Sequence, residues 1–134
     1  MVGSAIDIAL SGVLANSQRI SNAASNIANV RTTGSLDTVN GPAAFAPNDI
    51  TQETLPNGGV LASQVPRQPA FVPSFDPGSP FADADGIIAA PNVNLAAEAV
   101  DIISARVAFE ANIAVLETAR ELSDDLLSIF DEEA

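Results

Sequence analysis

The chain has 134 residues, among them 17 acidic and five basic ones, which gives a formal net charge of −12. It contains no histidine, cysteine, tryptophan or tyrosine. Without histidine and cysteine, the chain cannot form a zinc finger, a cysteine–histidine nucleophile or the usual serine triad. The acidic balance argues against nucleic acid as a partner and against a helix lying on an anionic membrane, because both surfaces would repel the chain. We expect no cofactor.

Apolar residues make up 47% of the chain, but aromatic residues make up only 4%. Much of the apolar fraction is alanine, which buries little area, so the composition is poorly suited to a large core within one chain. It favours helices that pack closely, including against other chains.

The N-terminal region lacks the features of a secretory signal. Its first cation is Arg19, and Asp7, Ser11 and Gly12 interrupt the apolar stretch 5–14. A cleaved Sec signal needs a basic start and an uninterrupted apolar run, and no run in the sequence is long enough to span a bilayer. We therefore expect neither a Sec signal peptide nor direct membrane insertion.

Proline and glycine divide the chain into three parts. All nine prolines lie between Pro42 and Pro91, and residues 92–134 contain neither proline nor glycine. Because proline breaks helices and glycine marks turns, we predict an N-terminal helix in 1–30, a middle segment in 31–93 and a C-terminal helix with an acidic tail in 94–134. The predicted fold is mainly α, with two long helices forming a coiled-coil-like pair, joined by an irregular Pro/Gly-rich segment with short β-strands.

The N-terminal helix is predicted to begin near Ser4, a plausible N-cap with Asp7 in the first turn, and to run to Val30. Residues 1–30 are nearly uncharged, and their remaining surface consists of serine, asparagine, glycine and alanine. Small uncharged residues suit an interface, where they let a neighbour approach closely. The helix also has a heptad seam that is apolar except at one serine: Ile6, Leu10, Val13, Ser17, Ile20, Ala24 and Ile27.

The C-terminal helix is predicted to start after an N-cap at Asn94. Two adjacent apolar stripes on one helix suit several neighbours, as in a bundle or a tube of helices. If the two helices pair antiparallel, apolar surface is left over, which indicates self-association or a partner. One stripe comprises Ala99, Ile102, Phe109, Ile113, Leu116, Leu127 and Phe130, and the other comprises Ala108, Ala111, Val115, Ala119, Leu122, Leu126 and Ile129.

The middle segment has candidate strands at 60–65, 70–72 and 87–90. Asn57-Gly58-Gly59 and the segment 76–80 are predicted turns.

Asp83-Ala84-Asp85-Gly86 is similar to a fragment of a calcium loop. It lacks a third ligand and a terminal glutamate, and its glycine comes too early, so we interpret it as a turn leading into a strand. Asp83 and Asp85 are also poor candidates for a glycosidase pair, because loop positions two apart have no defined separation. The acidic residues 131–133 oppose the helix macrodipole, so fraying is expected there.

Four short motifs lie in and next to the two predicted helices. They are Ser25-Asn26-Ile27-Ala28-Asn29, Asn92-Val93-Asn94 followed by Glu98 and Val100, Ala105-Arg106-x-x-Phe109-Glu110-Ala111-Asn112, and Val115-Leu116-x-Thr118-Ala119. In this order they resemble the S-N-[LI]-A-N, N-V-[ND]…E-x-V, A-x-R-x-[FY]-x-x-N and V-[ML]-x-T-A motifs of the bacterial flagellar rod, hook and axial protein family. The arginine of the third motif comes one place early.

The middle segment contains the most discriminating resemblance. Residues 77–86 read Pro-Gly-Ser-Pro-Phe-Ala-Asp-Ala-Asp-Gly, and Pro91-Asn92-Val93 follows. This pattern is similar to the P-G-x-P-x-A-D-A-D-G…P-N-V segment of a small proximal rod subunit of the family. The resemblance covers about residues 1–30 and 71–130, while residues 31–70 match nothing we can place.

The resemblance implies a structural protein without enzymatic activity. Family members pack their terminal helices side by side as the inner tube of the rod and are exported unfolded through the flagellar type III apparatus. For this chain, the resemblance implies a location in the flagellar basal body, self-association into a torque-transmitting tube needed for motility, and partnership with other rod subunits and basal-body proteins.

The residues expected at the assembly interface combine the apolar seams with motif positions. They are Ile6, Leu10, Val13, Ile20, Asn26, Ile27, Asn29, Ile102, Arg106, Phe109, Asn112, Ile113, Leu116 and Leu127. Two alternatives stay open at this point: a divergent rod-like helical assembly or adaptor protein outside a standard flagellum, and a small enzyme. The enzyme is disfavoured because no nucleophile–base pair lies within reach in the sequence.

Overall fold

The structure is a computed structural model that describes residues 2–37, 41–56 and 58–132. Its elements are, in chain order, α1 (Val2–Ala28), β1 (Asn48–Thr54), β2 (Val60–Pro66), β3 (Phe71–Phe75), β4 (Ile87–Pro91) and α2 (Leu95–Glu132). Two long helices therefore flank a middle segment of short strands, which confirms the mainly α architecture. Coiled-coil pairing of the helices stays a prediction.

The helices lie antiparallel and pack along most of α1. The end of α1 meets the start of α2, because Asn26 is hydrogen-bonded to Glu98. Farther along, Gly12 faces Asn112, and Ala5 lines a groove together with Leu122. Since α2 has 38 residues and α1 has 27, the C-terminal end of α2 extends past the N-terminal end of α1 by about three turns.

Small side chains dominate the buried face between the helices. The buried apolar residues along α1 and α2 are Ala9, Ala15, Ala23, Ala105 and Ala119. A Cβ atom placed on Gly12 would lie 2.6–2.8 Å from the side-chain atoms of Asn112, so α2 approaches α1 closely only because that position is glycine. Close contact of backbones thus replaces the burial of large side chains.

The four strands form two separate antiparallel ribbons. In the first ribbon, β1 pairs with β2, with Asn48 opposite Pro66. This ribbon lies along α1, and the backbone nitrogen of Val60 donates to Oγ of Ser11 at 3.0 Å. In the second ribbon, β3 pairs with β4, and the backbone of Gly34 is hydrogen-bonded in both directions to Ala89 of β4.

Most of the local predictions match the observed elements. Oδ1 of Asn94 accepts from the backbone nitrogens of Ala96 and Ala97 at 3.0 and 3.1 Å, which confirms the N-cap of α2. The strands predicted at 60–65, 70–72 and 87–90 correspond to β2, β3 and β4. The turn at 76–80 is closed by a hydrogen bond from the backbone nitrogen of Ser79 to the oxygen of Asp76. At the other predicted turn, Gly58 has a φ of 88°, while Asn57 lies outside the described residues.

The structure differs from the local predictions at two places. α1 begins at Val2, so Ser4 lies within the helix and is not its N-cap. The helical backbone continues N-terminal to Ser4, so the local capping signal does not set its start. Strand β1 was not predicted, because its sequence NDITQET is almost entirely polar. Fraying at 131–133 stays a prediction; α2 continues to Glu132, and residue 133 lies outside the described part.

The accessible surface is large for the size of the chain. It measures 8637 Å², whereas a folded monomer of 13.7 kDa is expected to expose about 6,600 Å². No helix in the described residues has both the length and the hydropathy of a transmembrane span. The accessible surface in excess of about 6,600 Å² reflects an elongated shape with a thin core.

A bulkier residue at Gly12 should separate the two helices. We expect Gly12→Val to lower the stability by about 1–3 kcal/mol because the new side chain overlaps Asn112. The matched control is Ser17→Val at an exposed position of the same helix, where the change should stay within about 0.5 kcal/mol. Thermal unfolding followed by circular dichroism measures both. Asn112→Ala should relieve part of the Gly12→Val loss, and equal effects of the two valine substitutions would contradict the close approach.

Candidate assembly interface

Asn26 joins both helices to the first ribbon. Asn26 is 1% exposed, and Glu98, on the first turn of α2, is 5% exposed. Nδ2 of Asn26 donates to Oε1 of Glu98 at 3.1 Å and to the carbonyl oxygen of Asn48 at 2.9 Å. Oδ1 of Asn26 accepts from the backbone nitrogen of Asn48 at 3.3 Å. One amide therefore bridges α1, α2 and β1.

Arg67 completes this connection from the end of β2. Its Nη2 donates to Oε1 of Glu98 at 2.7 Å and to Oδ1 of Asp49 at 2.6 Å. Nε donates to the same Asp49 oxygen at 2.8 Å, and Nη1 donates to the carbonyl oxygen of Asn92 at 2.8 Å. We call Asn26, Asp49, Arg67 and Glu98 the polar junction. It fixes the ribbon, the chain before α2 and both helices in one arrangement.

Electrostatics keep the guanidinium of Arg67 charged. The hydrogen bond to Asp49 raises the pKa of Arg67, against the opposing effect of burial, and the hydrogen bond to Glu98 adds to the rise. A raised pKa means that this stabilisation is complete below the ordinary arginine range and is lost only above it. The contribution of Arg67 is therefore independent of pH under physiological conditions.

Other polar side chains of α1 extend the contact away from the polar junction. Asn22 donates through Nδ2 to the carbonyl oxygen of Asn48 at 2.8 Å. Arg19 forms an ion pair with Asp101 of α2, and its Nη1 donates to Oδ1 of Asn16 at 3.1 Å. In the part of the chain that the structure describes, no buried side-chain nitrogen or oxygen lacks a hydrogen-bond partner. The uncharged polar surface of α1 thus serves partly as an internal interface.

The asparagines of the terminal motifs have defined structural roles. Asn92 donates through Nδ2 to the carbonyl oxygen of Pro69 at 2.9 Å, which holds the chain entering α2. Asn29 donates to the carbonyl oxygen of Ser25 at 2.9 Å, at the end of α1. Asn112 donates to the carbonyl oxygen of Ala108 at 2.7 Å and occupies the space opposite Gly12.

The aspartates of the middle segment form a turn. Oδ1 of Asp83 accepts from the backbone nitrogens of Asp85 and Ile87 at 3.0 and 2.8 Å. The turn leads into β4, and Gly86 has a φ of 77°, in the left-handed region that favours glycine. Across residues 2–37, 41–56 and 58–132, no group of three or more acidic, histidine or cysteine side chains could hold a metal ion.

The residues predicted at the assembly interface differ in exposure. Asn26 is buried, whereas Leu10, Arg106 and Leu127 are exposed. The remaining ten are partly exposed beside the buried face: Ile6, Val13, Ile20, Ile27, Asn29, Ile102, Phe109, Asn112, Ile113 and Leu116. The structure brings Asn26 and Asn112 into the contact between α1 and α2, and leaves apolar side chains of the seams accessible to other molecules.

Further exposed apolar side chains were not selected from the sequence as interface residues. Leu14 on α1 and Val107 on α2 are each 62% exposed. Val100, Ile103 and Val107 follow helical spacing on one face of α2, and each is at least 62% exposed. Arg67 was also missed, because a single arginine in a polar segment gives no local sign that its partner lies 31 residues away.

Comparison with known proteins identifies the family. A family model described as the C-terminal region of flagellar basal body rod FlgEFG proteins matches residues 84–129. The flagellar basal-body rod protein FlgC of Yersinia enterocolitica is 39% identical over 132 residues, which cover 87% of this chain and 88% of the relative. The chain belongs to the FlgC family of flagellar basal-body rod proteins.

Other FlgC proteins agree with this assignment. FlgC of Salmonella typhimurium is 35% identical over 130 residues, covering 87% of this chain and 88% of the relative. FlgC of Agrobacterium fabrum is 34% identical over 127 residues, covering 90% and 89%. In this FlgC-family chain, residues of the two terminal motifs, Asn26 and Glu98, meet in the polar junction. The resemblance read from short motifs is therefore confirmed across most of the chain.

Removal of the buried carboxylate should be strongly destabilising. We expect Glu98→Ala to lower the free energy of unfolding by about 3 kcal/mol, because Arg67 and Asn26 lose their shared acceptor. Glu110→Ala is a matched control, since Glu110 forms an exposed ion pair with Arg106 on the same helix, and should cost less than about 1 kcal/mol. Urea denaturation measures both. Similar losses for the two variants would show that the polar junction contributes no more than a surface pair.

Proposed function

We propose that this chain is a structural subunit of the flagellar basal-body rod and that it works by assembly rather than by catalysis. Its family supports this role, since its relatives are flagellar basal-body rod proteins. The observation that carries the proposal most directly is the exposure of large apolar side chains along both helices. Contiguous apolar surface of this kind is typical of protein–protein contact sites.

The proposed partners are other copies of the chain and other rod and basal-body proteins. Apolar residues of the predicted seams, such as Leu10 on α1 and Leu127 on α2, are accessible and would contact neighbouring subunits. Ile20 and Phe109, which are partly exposed, would take part at the edges of these contacts. In this role the helices form the tube of the proximal rod, which transmits torque.

The described polar groups support a structural role. The charged side chains with low exposure are Arg19, Arg67 and Glu98, and each forms an ion pair. These ion pairs stabilise the fold, and they neutralise charges that would otherwise be partly buried without a partner. On the basis of its membership of the FlgC family, we further propose that the chain reaches the basal body through the flagellar type III export apparatus.

Deletion of the gene tests the proposed function. We expect the deletion strain to lack hooks and filaments and to lose swimming motility, because a rod without one of its subunits cannot support the structures beyond it. Expression of the intact chain should restore swimming in soft agar. Normal motility of the deletion strain, in a bacterium without a second copy of the gene, would sink the proposal and favour an assembly or adaptor role outside the flagellum.

Charges placed on the exposed apolar faces should block assembly without unfolding the chain. We expect Leu14→Asp and Val107→Asp to abolish swimming, because each would bury an unpaired charge between subunits. Exposed substitutions usually change stability by less than about 0.5 kcal/mol, so the circular dichroism of the purified variants should match that of the parent chain.

The matched control for these variants is Phe75→Asp. Phe75 is 70% exposed on β3, away from both helix faces, so this variant should swim normally. Normal motility of the Leu14→Asp and Val107→Asp variants would show that these faces of α1 and α2 stay in solvent in the assembled rod.

A further inference from the structure

The hydrogen bonds of the first ribbon show which backbone groups of β1 point away from β2. The backbone nitrogen of Arg67 donates to the oxygen of Pro47, and that of Leu55 donates to the oxygen of Gly59. In an antiparallel pair, residues bonded to the partner strand alternate with residues whose backbone groups point outward. The odd-numbered residues of β1 therefore bond to β2, and the even-numbered residues of 48–54 form its outer edge.

In the described part of the chain, this outer edge is bonded at its first residue only. The backbone nitrogen of Asn48 donates to Oδ1 of Asn26, and its oxygen accepts from Nδ2 of Asn22 and Asn26. Farther along β1, the outward-facing backbone nitrogens and oxygens form no hydrogen bond with described residues. We call these groups the open edge, which belongs to Ile50, Gln52 and Thr54.

Each of the other strands carries a feature that limits pairing at its outer edge. In β4, Ala89 is bonded to the loop after α1; Pro73 of β3 lies opposite Ala89, so it also faces outward and has no nitrogen to donate. In β2, the nitrogen of Val60 donates to Oγ of Ser11, and Pro66 faces outward at the other end. Proline and covered edges protect sheets against unwanted pairing. The open edge of β1 has neither, so it can accept a strand.

The open edge borders a pocket between the first ribbon and the two helices. The pocket has a volume of about 510 Å³, and its uncharged lining residues are Asn22 of α1, Ile50 and Gln52 of β1, and Ala97 of α2. Because Asn22 also bonds to the outer edge at Asn48, the pocket lies on the outer side of β1. A strand added to the open edge would therefore run along the pocket.

Charged side chains complete the lining of the pocket, and the more accessible ones are negative. They are Arg19, Arg67, Asp49, Glu98 and Asp101. The side chains of the two arginines are 19% and 20% exposed, whereas those of Asp101 and Asp49 are 39% and 48% exposed. Each of these aspartates binds an arginine through Oδ1, and its Oδ2 accepts no hydrogen bond from the described residues. The lining thus holds three carboxylates and two guanidiniums, which favours a ligand with a basic side chain.

We propose that the open edge is a strand-addition site for an extended segment of a different protein. The segment pairs with the backbone of Ile50 and Gln52 and places a basic side chain in the pocket with Asp49 and Asp101. Main-chain hydrogen bonds supply affinity in such contacts, and side chains supply specificity. The inference goes beyond the proposed function, because it assigns a partner to the middle segment and does not use the exposed helix faces.

A second copy of the chain does not offer such a segment. Arg67 is the single cation of residues 32–93, and all three of its guanidinium nitrogens are bonded within the chain. The other cations lie on α1 and α2 or, in the case of Arg31, in the turn that follows α1. An extended segment with a free basic side chain therefore has to come from another protein.

Binding of a synthetic peptide tests the site. The probe is a fluorescently labelled peptide with blocked ends, Thr-Val-Thr-Arg-Thr-Val-Thr, whose β-branched residues favour an extended chain. We expect saturable binding to the purified full-length chain, measured by fluorescence anisotropy. A second peptide with glutamate in place of arginine should bind at least about tenfold more weakly, because it loses charge-assisted hydrogen bonds to the aspartates. Failure of the arginine peptide to bind, or equal binding of both peptides, would overturn the proposal.

Proline substitution shows which edge of the ribbon the peptide uses. Gln52→Pro removes an outward-facing donor of the open edge and leaves the hydrogen bonds between β1 and β2 in place. Gln64→Pro is the matched control, since Gln64 faces outward on β2. We expect Gln52→Pro to weaken binding of the arginine peptide at least about tenfold, and Gln64→Pro to leave it nearly unchanged. Equal losses in the two variants, or full binding by Gln52→Pro, would contradict a site on β1.

Amide hydrogen exchange in the unsubstituted chain gives a readout that does not depend on the folding of a variant. Saturation with the arginine peptide should slow exchange at Ile50 and Gln52, because their amides become hydrogen-bonded. The amides of Ala62 and Gln64, on the outer edge of β2, should keep their exchange rates. Unchanged rates at Ile50 and Gln52, or slowing confined to Ala62 and Gln64, would overturn the assignment of the open edge.

Discussion

The arrangement of this molecule depends on the carboxylate of Glu98, which is shared by Asn26 and Arg67. These bonds connect residues 72 and 31 positions apart in the sequence, and they join both helices to the first ribbon. An apolar core does not hold these elements together, because the buried residues between the helices are mostly alanine and bury little apolar area. The bonded groups have to meet in one geometry, so the polar junction fixes the register of α2 along α1.

The helices were predictable because their signals are local. Asn94 precedes a long segment without proline or glycine, and it caps α2 as expected. The start of α1 was misplaced, because the helix begins at Val2 and the capping signal at Ser4 lies within it. β1 escaped prediction because its polar sequence has no alternating pattern, and because Asn48 is held by the side chains of Asn22 and Asn26 on α1. Tertiary contacts, which a local pattern does not contain, decide the case of β1.

The candidate interface was predictable only in part, because sequence patterns give most weight to large apolar residues. The heptad seam of Ile6, Val13 and Ile20 stands beside the buried face of α1, while Ala9, Gly12 and Asn16 occupy that face. Small and amide side chains allow the helices to approach within reach of hydrogen bonds. The large residues are thereby left partly exposed and available to neighbours. We propose that the small residues serve internal packing and the large ones serve assembly.

This division explains how an acidic chain can be suited to self-association. A net charge of −12 repels other copies at long range, but salt at physiological strength screens such repulsion beyond about 8 Å. Close contact is then favourable wherever the touching surfaces are neutral or complementary. α1 meets this condition, since its interior charge, Arg19, is already paired with Asp101. Six of the nine acids of α2 lie in residues 117–132, so electrostatic repulsion between copies would be strongest where two such ends meet.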